Sequence, residues 1–191
     1  ASVPRLTSNS KSKEYLPDSN LISIENLSKS LFKNTFFSNK KISVNALENI
    51  NLQIGYGEVV SLVGESGSGK STLGRILLKL TIPDKGTIRF DGLNFYSNKS
   101  AELKKFRSTI QIIFQDPYSS LDPKRTIGYS ISEPLIIQNE YRTTEIEDKV
   151  RKLLTAVGLD PNSAKRYPHE FSGGQRQRIA IARAISTKPK I

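Results

Sequence analysis

The sequence predicts an α/β fold, in which a buried strand feeds a glycine-rich loop and then a helix. Three adjoining segments carry that prediction. Val59-Val60-Ser61-Leu62-Val63 is a short continuous apolar run of the kind a parallel sheet covers on both faces. Gly64-Glu65-Ser66-Gly67-Ser68-Gly69-Lys70-Ser71 follows without a gap, and Ser71 to Leu80 reads as a helix.

The remaining elements fall in place around this centre. Residues 1–20 are rich in Ser, Asn and Lys, with Pro4 and Pro17, and read as a flexible leader. Leu21 to Leu27 alternates as a first strand, the polar stretch around Asn34, Ser38, Asn39 and Lys40 as a loop, and Leu47 to Ile54 as a second strand with period two. Gly55-Tyr56-Gly57 ends that strand in a turn. Pro83-Asp84-Lys85-Gly86 turns the chain into the strand Thr87–Phe90, and Asp91-Gly92 turns it again. Ile110–Phe114 reads as a second central strand. From Thr126 to about Val157 the texture is helical, with Val150, Leu153, Leu154 and Val157 at helical spacing and Gly158 as terminator. A final helix runs roughly from Gly174 to Ser186 and carries Ile179, Ala182 and Arg183 on related turns, with Lys188-Pro189 ending it. No internal repeat appears.

Composition narrows the class. A chain of 191 residues that is 36% apolar and 25% charged can bury a real core, and no apolar run reaches the length of a membrane span. No secretory signal pattern opens it. It lacks cysteine, which removes disulfides and thiol chemistry, and it lacks methionine, so Ala1 is not an initiator and the N-terminus is expected to be processed, engineered or only partly represented. The formal charge of +11 invites a nucleic-acid reading, but the positives are scattered, with no basic-region helix, zinc-finger spacing or basic–aromatic repeat. They read as a solvated face in anionic nucleotide and phospholipid surroundings.

The glycine loop carries the most specific chemistry. Successive backbone N–H groups of such a turn point inward around phosphate oxygens, and the helix that follows adds its positive N-terminal end. Lys70 supplies an ammonium that reaches the β/γ phosphates, and Ser71 a hydroxyl for Mg²⁺. The motif by itself does not separate a GTPase, kinase, helicase or transporter ATPase. Gln115, just past the strand Ile110–Phe114, faces the ligand crevice of such a sheet and can present its amide to Mg²⁺ or its water. Polar strand ends are common, however, and this is the alternative for Gln115 alone. Ser172-Gly173-Gly174-Gln175 puts two glycines at the mouth of a helix, where a γ-phosphate can be received. An ordinary Ser N-cap is the alternative there. His169 stands without a second histidine or any cysteine, so it reads as structural or surface rather than as a metal ligand or base.

Taken together, these motifs resemble those of ATP-binding-cassette (ABC) proteins, and in detail the ATP-binding subunits of bacterial ABC peptide importers of the oligopeptide/dipeptide type. Gly64–Ser71 matches the phosphate loop, Gln115 the Q-loop, and Ser172–Gln175 the ABC signature. Phe114-Gln115-Asp116-Pro117-Tyr118-Ser119-Ser120-Leu121-Asp122-Pro123 looks like the peptide-importer form of the Q-loop region, and Glu133-Pro134-Leu135 and Arg166–Phe171 extend the likeness.

The resemblance implies a P-loop NTPase of ABC type with an antiparallel β edge, a RecA-like core and a helical subdomain. On this reading 21–114 holds the β edge and phosphate-loop core, 115–172 the Q-loop and helical subdomain, and 173–191 the signature helix and the return toward the core. It implies ATP and Mg²⁺ as cofactors, with Gly64, Glu65, Ser66, Gly67, Ser68, Gly69, Lys70, Ser71 and Thr72 around the phosphates. Ser71 and Gln115 stand at the metal, and Lys70 and Gln115 take the catalytic roles. Ser172, Gly173, Gly174 and Gln175 serve a second ABC ATPase subunit in a head-to-tail dimer. Phe32 is the choice for the adenine-stacking aromatic, with Phe36 or Phe37 as alternatives and a core role open to each.

Further implied partners are two transmembrane permease subunits and, indirectly, an extracellular peptide-binding protein, with the ATPase peripheral on the cytoplasmic face of a bacterial membrane and no nucleic acid bound. In the family a strand ending in Asp, a catalytic Glu and a switch histidine follow the signature helix. None of the three is present by Ile191, so the resemblance implies that the C-terminal part of the core is not within these residues, and the 191-residue segment alone is expected to hydrolyse ATP poorly or not at all. The competing function is an ABC-type ATPase acting on nucleic acid or ribosomes. Its support is the +11 charge, and the short interval of about a hundred residues between loop and signature speaks against coiled-coil repair ATPases. A third reading is a nonhydrolytic, regulatory nucleotide-binding fragment.

Overall fold

The computed structural model describes residues 20–34, 41–96, 106–114, 116, 120–139 and 141–191. The chain forms two compact units, Ala1–Ser97 and Asn98–Ile191. In the first, strands β1 (Asn20–Asn34), β2 (Lys41–Gly55), β3 (Lys85–Phe90) and β4 (Leu93–Asn94) make an antiparallel sheet in the order β2-β1-β3-β4, with helix α1 (Lys70–Leu77) between β2 and β3.

Strand β1 shows how sequence sets register. Ile22 and Ile24 lie opposite Ile54 and Leu52 on β2 and opposite Phe90 and Ile88 on β3, and both are buried. Strict alternation would next bury Asn26. Instead an irregularity between Ile24 and Leu27, with Asn26 at φ 51°, shifts the phase by one residue and delivers Leu27 to the core. One side chain from each strand holds the irregular stretch. Asn51 Oδ1 accepts from Asn26 N–H at 2.9 Å, and Asn49 N–H donates to Ser28 Oγ at 3.0 Å.

The entry to β3 is fixed from β1 as well. Asp84 accepts from Lys29 Nζ and from Ser30 N–H, both at 2.7 Å. The Lys29 bond, and after it the Ser30 amide, hold the Asp84 carboxyl below its ordinary value of 3.8. A carboxylate whose folded pKa is depressed stabilises the fold at every pH above its ordinary value, and that contribution disappears as pH falls through the lowered pKa. The Ser30 amide resonance is therefore expected to titrate with a midpoint below 3.8, and Asp84→Asn to abolish the titration. A wild-type midpoint at or above 3.8, followed by NMR, would contradict the assignment.

Helix α1 turns Leu73 and Ile76 inward, both fully buried. It ends at Leu77 rather than at Leu80, because Lys79 adopts φ 55° and breaks the helical path.

The expectation of a buried parallel strand at Val59–Val63 is corrected. Residues 58–65 carry no ladder, and Val59 and Val63 are 93% and 82% exposed. Among the described residues no strand pairs with this segment, and an apolar strand has no interior without neighbours on either side.

In the second unit, the strand expected at Ile110–Phe114 is likewise not formed as such. Ile110 is buried, whereas Ile112, Ile113 and Phe114 are exposed. One parallel rung is present: Ile191 N–H donates to Thr109 O at 3.1 Å, and Gln111 N–H to Ile191 O at 2.9 Å.

Helices α2 (Ile127–Gln138), α3 (Thr143–Ala156) and α4 (Gly173–Ile185) make the body of this unit, with two short 3₁₀ helices, Pro161–Lys165 and Pro168–Glu170, between the last two. Ile127, Ile131 and Leu135 recur at i+4 on α2. The first two join Val150 and Leu154 of α3, Ile179 and Ala182 of α4, and Leu121, Leu159 and Phe171 in one core. Thr126 caps α2 through its hydroxyl, which accepts from Tyr129 N–H at 3.2 Å.

Gly158 ends α3 as the sequence predicts, at φ 72°. Its N–H reaches Thr155 O and that of Leu159 reaches Leu154 O, both at 2.9 Å, the paired bonds of a Schellman motif. Leu159 then packs back into the cluster that holds Leu154. No helix among the described residues is long and apolar enough to cross a membrane.

Candidate functional site

The glycine loop is built against β2. Gly69 has φ 95° and stands at the N-cap of α1. A Cβ there would collide with the carbonyl oxygen of Ala46 and come within 2.8 Å of Leu47 Cδ2. Glycine is thus required twice over, for the left-handed angle and for the approach of the loop to the strand. Since it has no side chain, Gly69 provides no side-chain cap. The opening N–H groups of a helix have no intrahelical acceptor. A helix mouth of this kind, with its positive dipole end, accepts an anion.

Lys70 folds back over its own loop. Its Nζ donates to Gly64 O at 2.7 Å, to Glu65 O at 2.8 Å and to Ser68 Oγ at 3.1 Å. An ammonium has three protons, and these three oxygens use them all. Ser68 N–H closes the turn onto Glu65 O at 3.2 Å, and Ser68 and Gly69 are buried beneath the exposed stretch Glu65-Ser66-Gly67. Ser71 is exposed in the first turn of α1, and Thr72 beside it is half-buried.

Among the described residues no group of three acidic or histidine side chains could hold a metal on its own. A lone serine hydroxyl suits a cation that keeps most of its ligands from water and phosphate oxygens, which is how Mg²⁺ binds. The cradle, its cation and its hydroxyl therefore fit a Mg²⁺-bound polyphosphate.

The second cluster opens α4 in the other unit. Ser172 Oγ accepts from Gln175 N–H at 3.3 Å, and Gln175 Oε1 accepts from Ser172 N–H at 2.9 Å, a reciprocal capping box. Buried Phe171 anchors this mouth from below, with the Arg166 guanidinium 4.6 Å from its ring centre and Arg176 Nε donating to its carbonyl at 2.8 Å. Gly173 and Gly174 are exposed, and an added Cβ at either would meet nothing within 4 Å.

Next to it His169 is exposed and stacks on Tyr167, ring centres 5.8 Å apart. The Glu170 carboxyl between them and the helix is held below its ordinary range, first by the Tyr167 amide and then by Arg166. Gln115 lies outside the described residues, as do Phe36 and Phe37. Phe32 is 70% exposed on β1 opposite Ser43, so its ring is not part of the core.

The family described as ABC transporter matches residues 47–191, a span that contains both clusters. The chain belongs to the ABC transporter family. Within that family this ABC chain is 55% identical over 148 residues to the glutathione import ATP-binding protein GsiA of Pectobacterium atrosepticum, covering 78% of the chain and 24% of that protein. It is 48% identical over 162 residues to the putative oligopeptide transport ATP-binding protein YkfD of Bacillus subtilis, covering 84% and 49%. The chain thus spans about a quarter of the length of the first relative and about half of the second.

Among solved structures, the dimeric post-hydrolysis state of the ATP-binding cassette MJ0796 with ADP and Pi matches at TM-score 0.75 and 33% identity, over 88% of this chain and 70% of that one. The cbiO1 structure from Clostridium perfringens matches at TM-score 0.71 and 27% identity, over 90% and 63%. The ABC chain therefore has the fold of an ABC-type nucleotide-binding domain, a class built to hold ATP and Mg²⁺.

Two features of the site were not legible as such in the sequence. Ala46 and Leu47 form the wall behind the loop, and the period-two pattern that begins at Leu47 signals a strand without signalling what it backs. Arg183 stands in an otherwise apolar stretch of α4, an arrangement that asks for a partner, yet that partner lies at Glu133, on a different helix.

Proposed function

We propose that this chain is the ATP-binding and ATP-hydrolysing part of a subunit that drives import of short peptides across the cytoplasmic membrane. The observation that carries the proposal is Lys70, whose ammonium rests on three oxygens at the head of an anion-accepting helix. Those oxygens can be exchanged for phosphate oxygens without rebuilding the loop. The names of the relatives, one a glutathione importer and one a putative oligopeptide transporter, support the peptide class. They favour transport over action on nucleic acid or ribosomes.

In this reading Gly64–Gly69 wrap the phosphates with backbone donors, Lys70 places a positive charge against them, and Ser71 with Gln115 hold Mg²⁺. The ion, when bound, neutralises charge on the phosphate oxygens. Thr72 continues the first turn beside them, and the exposed Phe32 offers a face to the adenine. Ser172, Gly173 and Gly174 meet the γ-phosphate of a nucleotide held by a second ABC subunit, head to tail, and Gln175 keeps the helix mouth in shape. The dimeric state of MJ0796 supports that pairing. Closure follows because the nucleotide gains its last ligands only when both subunits meet. Two permease subunits and a peptide-binding protein complete the assembly, with the ATPase peripheral to the membrane.

The test is ATP hydrolysis by the intact transporter in vesicles. Glutathione or a dipeptide, presented with the binding protein, is expected to stimulate turnover and to be taken up. Stimulation by RNA or DNA, with no response to any peptide, would sink the proposal in favour of the nucleic-acid reading.

A further inference from the structure

The signature-bearing helix α4 is tied at its far end by one side chain. Arg183 Nη1 donates to the carbonyl oxygen of Ser120 at 2.8 Å, and Arg183 Nη2 pairs with Glu133 Oε2 of α2 at 2.6 Å. Ser120 belongs to the segment that leads away from Gln115. Arg183 sits three helical turns beyond Ser172, about 16 Å along α4. A single planar fork thus joins the Q-loop exit, the helical body and the signature helix.

The geometry points to Arg183 as a positioning residue that makes the Q-loop exit and the signature helix move as one. The inference rests on the ATPase reading above. The two donors of a guanidinium are fixed in one plane, so displacing Ser120 either breaks a charge-assisted bond or pulls α4 with it. The tie is also able to open. Arg183, Glu133 and Ser120 form a shared wall between two cavities of about 320 and 290 Å³, one reaching Arg107 and Gln111, the other Asp122, Arg125 and Tyr129. Arg183 and Glu133 are each about a third exposed, so water can replace either bond without a steric clash. An ion pair inside a packed core would be a rigid brace, whereas one with space on both sides can act as a latch.

The test compares Arg183→Lys, Glu133→Gln and the double variant in the intact protein. Lysine keeps the charge but cannot span both acceptors. Each single variant is expected to lower kcat for ATP about tenfold, the equivalent of one charge-assisted bond, with KM for MgATP within about twofold of wild type. The double variant is expected to be no worse than either single, because both break the same latch. Wild-type kcat in the single variants, or a lowered melting temperature with kcat intact, would overturn the latch and leave a purely structural ion pair. Multiplicative losses in the double variant would overturn it as well. MgATP binding is measured alongside. If wild type binds no MgATP, or if binding is indifferent to Lys70→Ala, the phosphate-loop reading falls and takes the latch with it.

Discussion

Lys70→Ala is expected to lower ATP turnover by the intact protein about 10²–10³-fold, the usual cost of losing one preorganised donor to a developing phosphate charge. MgATP affinity should fall as well, by about tenfold or more, since a bond to a charged group is worth about 1.5–3 kcal/mol. The structure gives the loss a second component. Without the ammonium, the oxygens of Gly64, Glu65 and Ser68 also lose the donor they share when no phosphate is bound. Lys70→Arg does not repair this, because a planar fork cannot direct its protons to three oxygens arranged around a point. Calorimetric titration with MgATP, with circular dichroism as the fold control, separates binding from unfolding. Turnover within a few-fold of wild type in a folded Lys70→Ala protein would remove the basis for the proposed function.

The second large effect is expected at Gly174. Neither a steric contact nor a backbone angle explains a glycine there: an added Cβ meets nothing within 4 Å, and the residue has no positive φ. By helix propensity alone, replacement by Asp should stabilise the chain by about 0.3 kcal/mol. A carboxylate at a helix N-terminus adds about 0.3–1 kcal/mol more. Gly174→Asp is therefore expected to fold at least as well as wild type. The same carboxylate would oppose the phosphate that the proposal brings to this mouth from a second subunit, and turnover should drop by about 10²-fold. A melting temperature held or raised while hydrolysis collapses is a result that damage to the fold cannot produce. Hydrolysis within twofold of wild type would show that no phosphate approaches Gly174.

The elements legible in the sequence were those whose signal is local. Ile22 and Ile24 announce β1 by alternation, Val150, Leu153 and Leu154 announce α3 by helical spacing, and Gly158 stops that helix through its own backbone angle. The phosphate loop is likewise written in one continuous stretch. Two kinds of feature escaped. Val59–Val63 and Ile110–Phe114 carry the composition of central strands, but a strand is a relation between chains of residues, and among the described residues neither acquires a full partner. The tie from Arg183 to Glu133 and Ser120 joins positions distant along the sequence, and no local pattern specifies which acid a lone arginine will find. The phase shift at Asn26 belongs to the same kind, since alternation alone would have placed that asparagine, and not Leu27, in the core.

Gly69 leaves unusually little freedom to a drifting lineage. Any side chain at that position would strike the Ala46 carbonyl and Leu47 before a nucleotide were ever involved. Selection for a foldable β2 and, on the proposed function, selection for phosphate affinity therefore act on the absence of the same carbon atom. No mutation can trade one against the other, and random mutagenesis scored only for expression level should already find the site immutable.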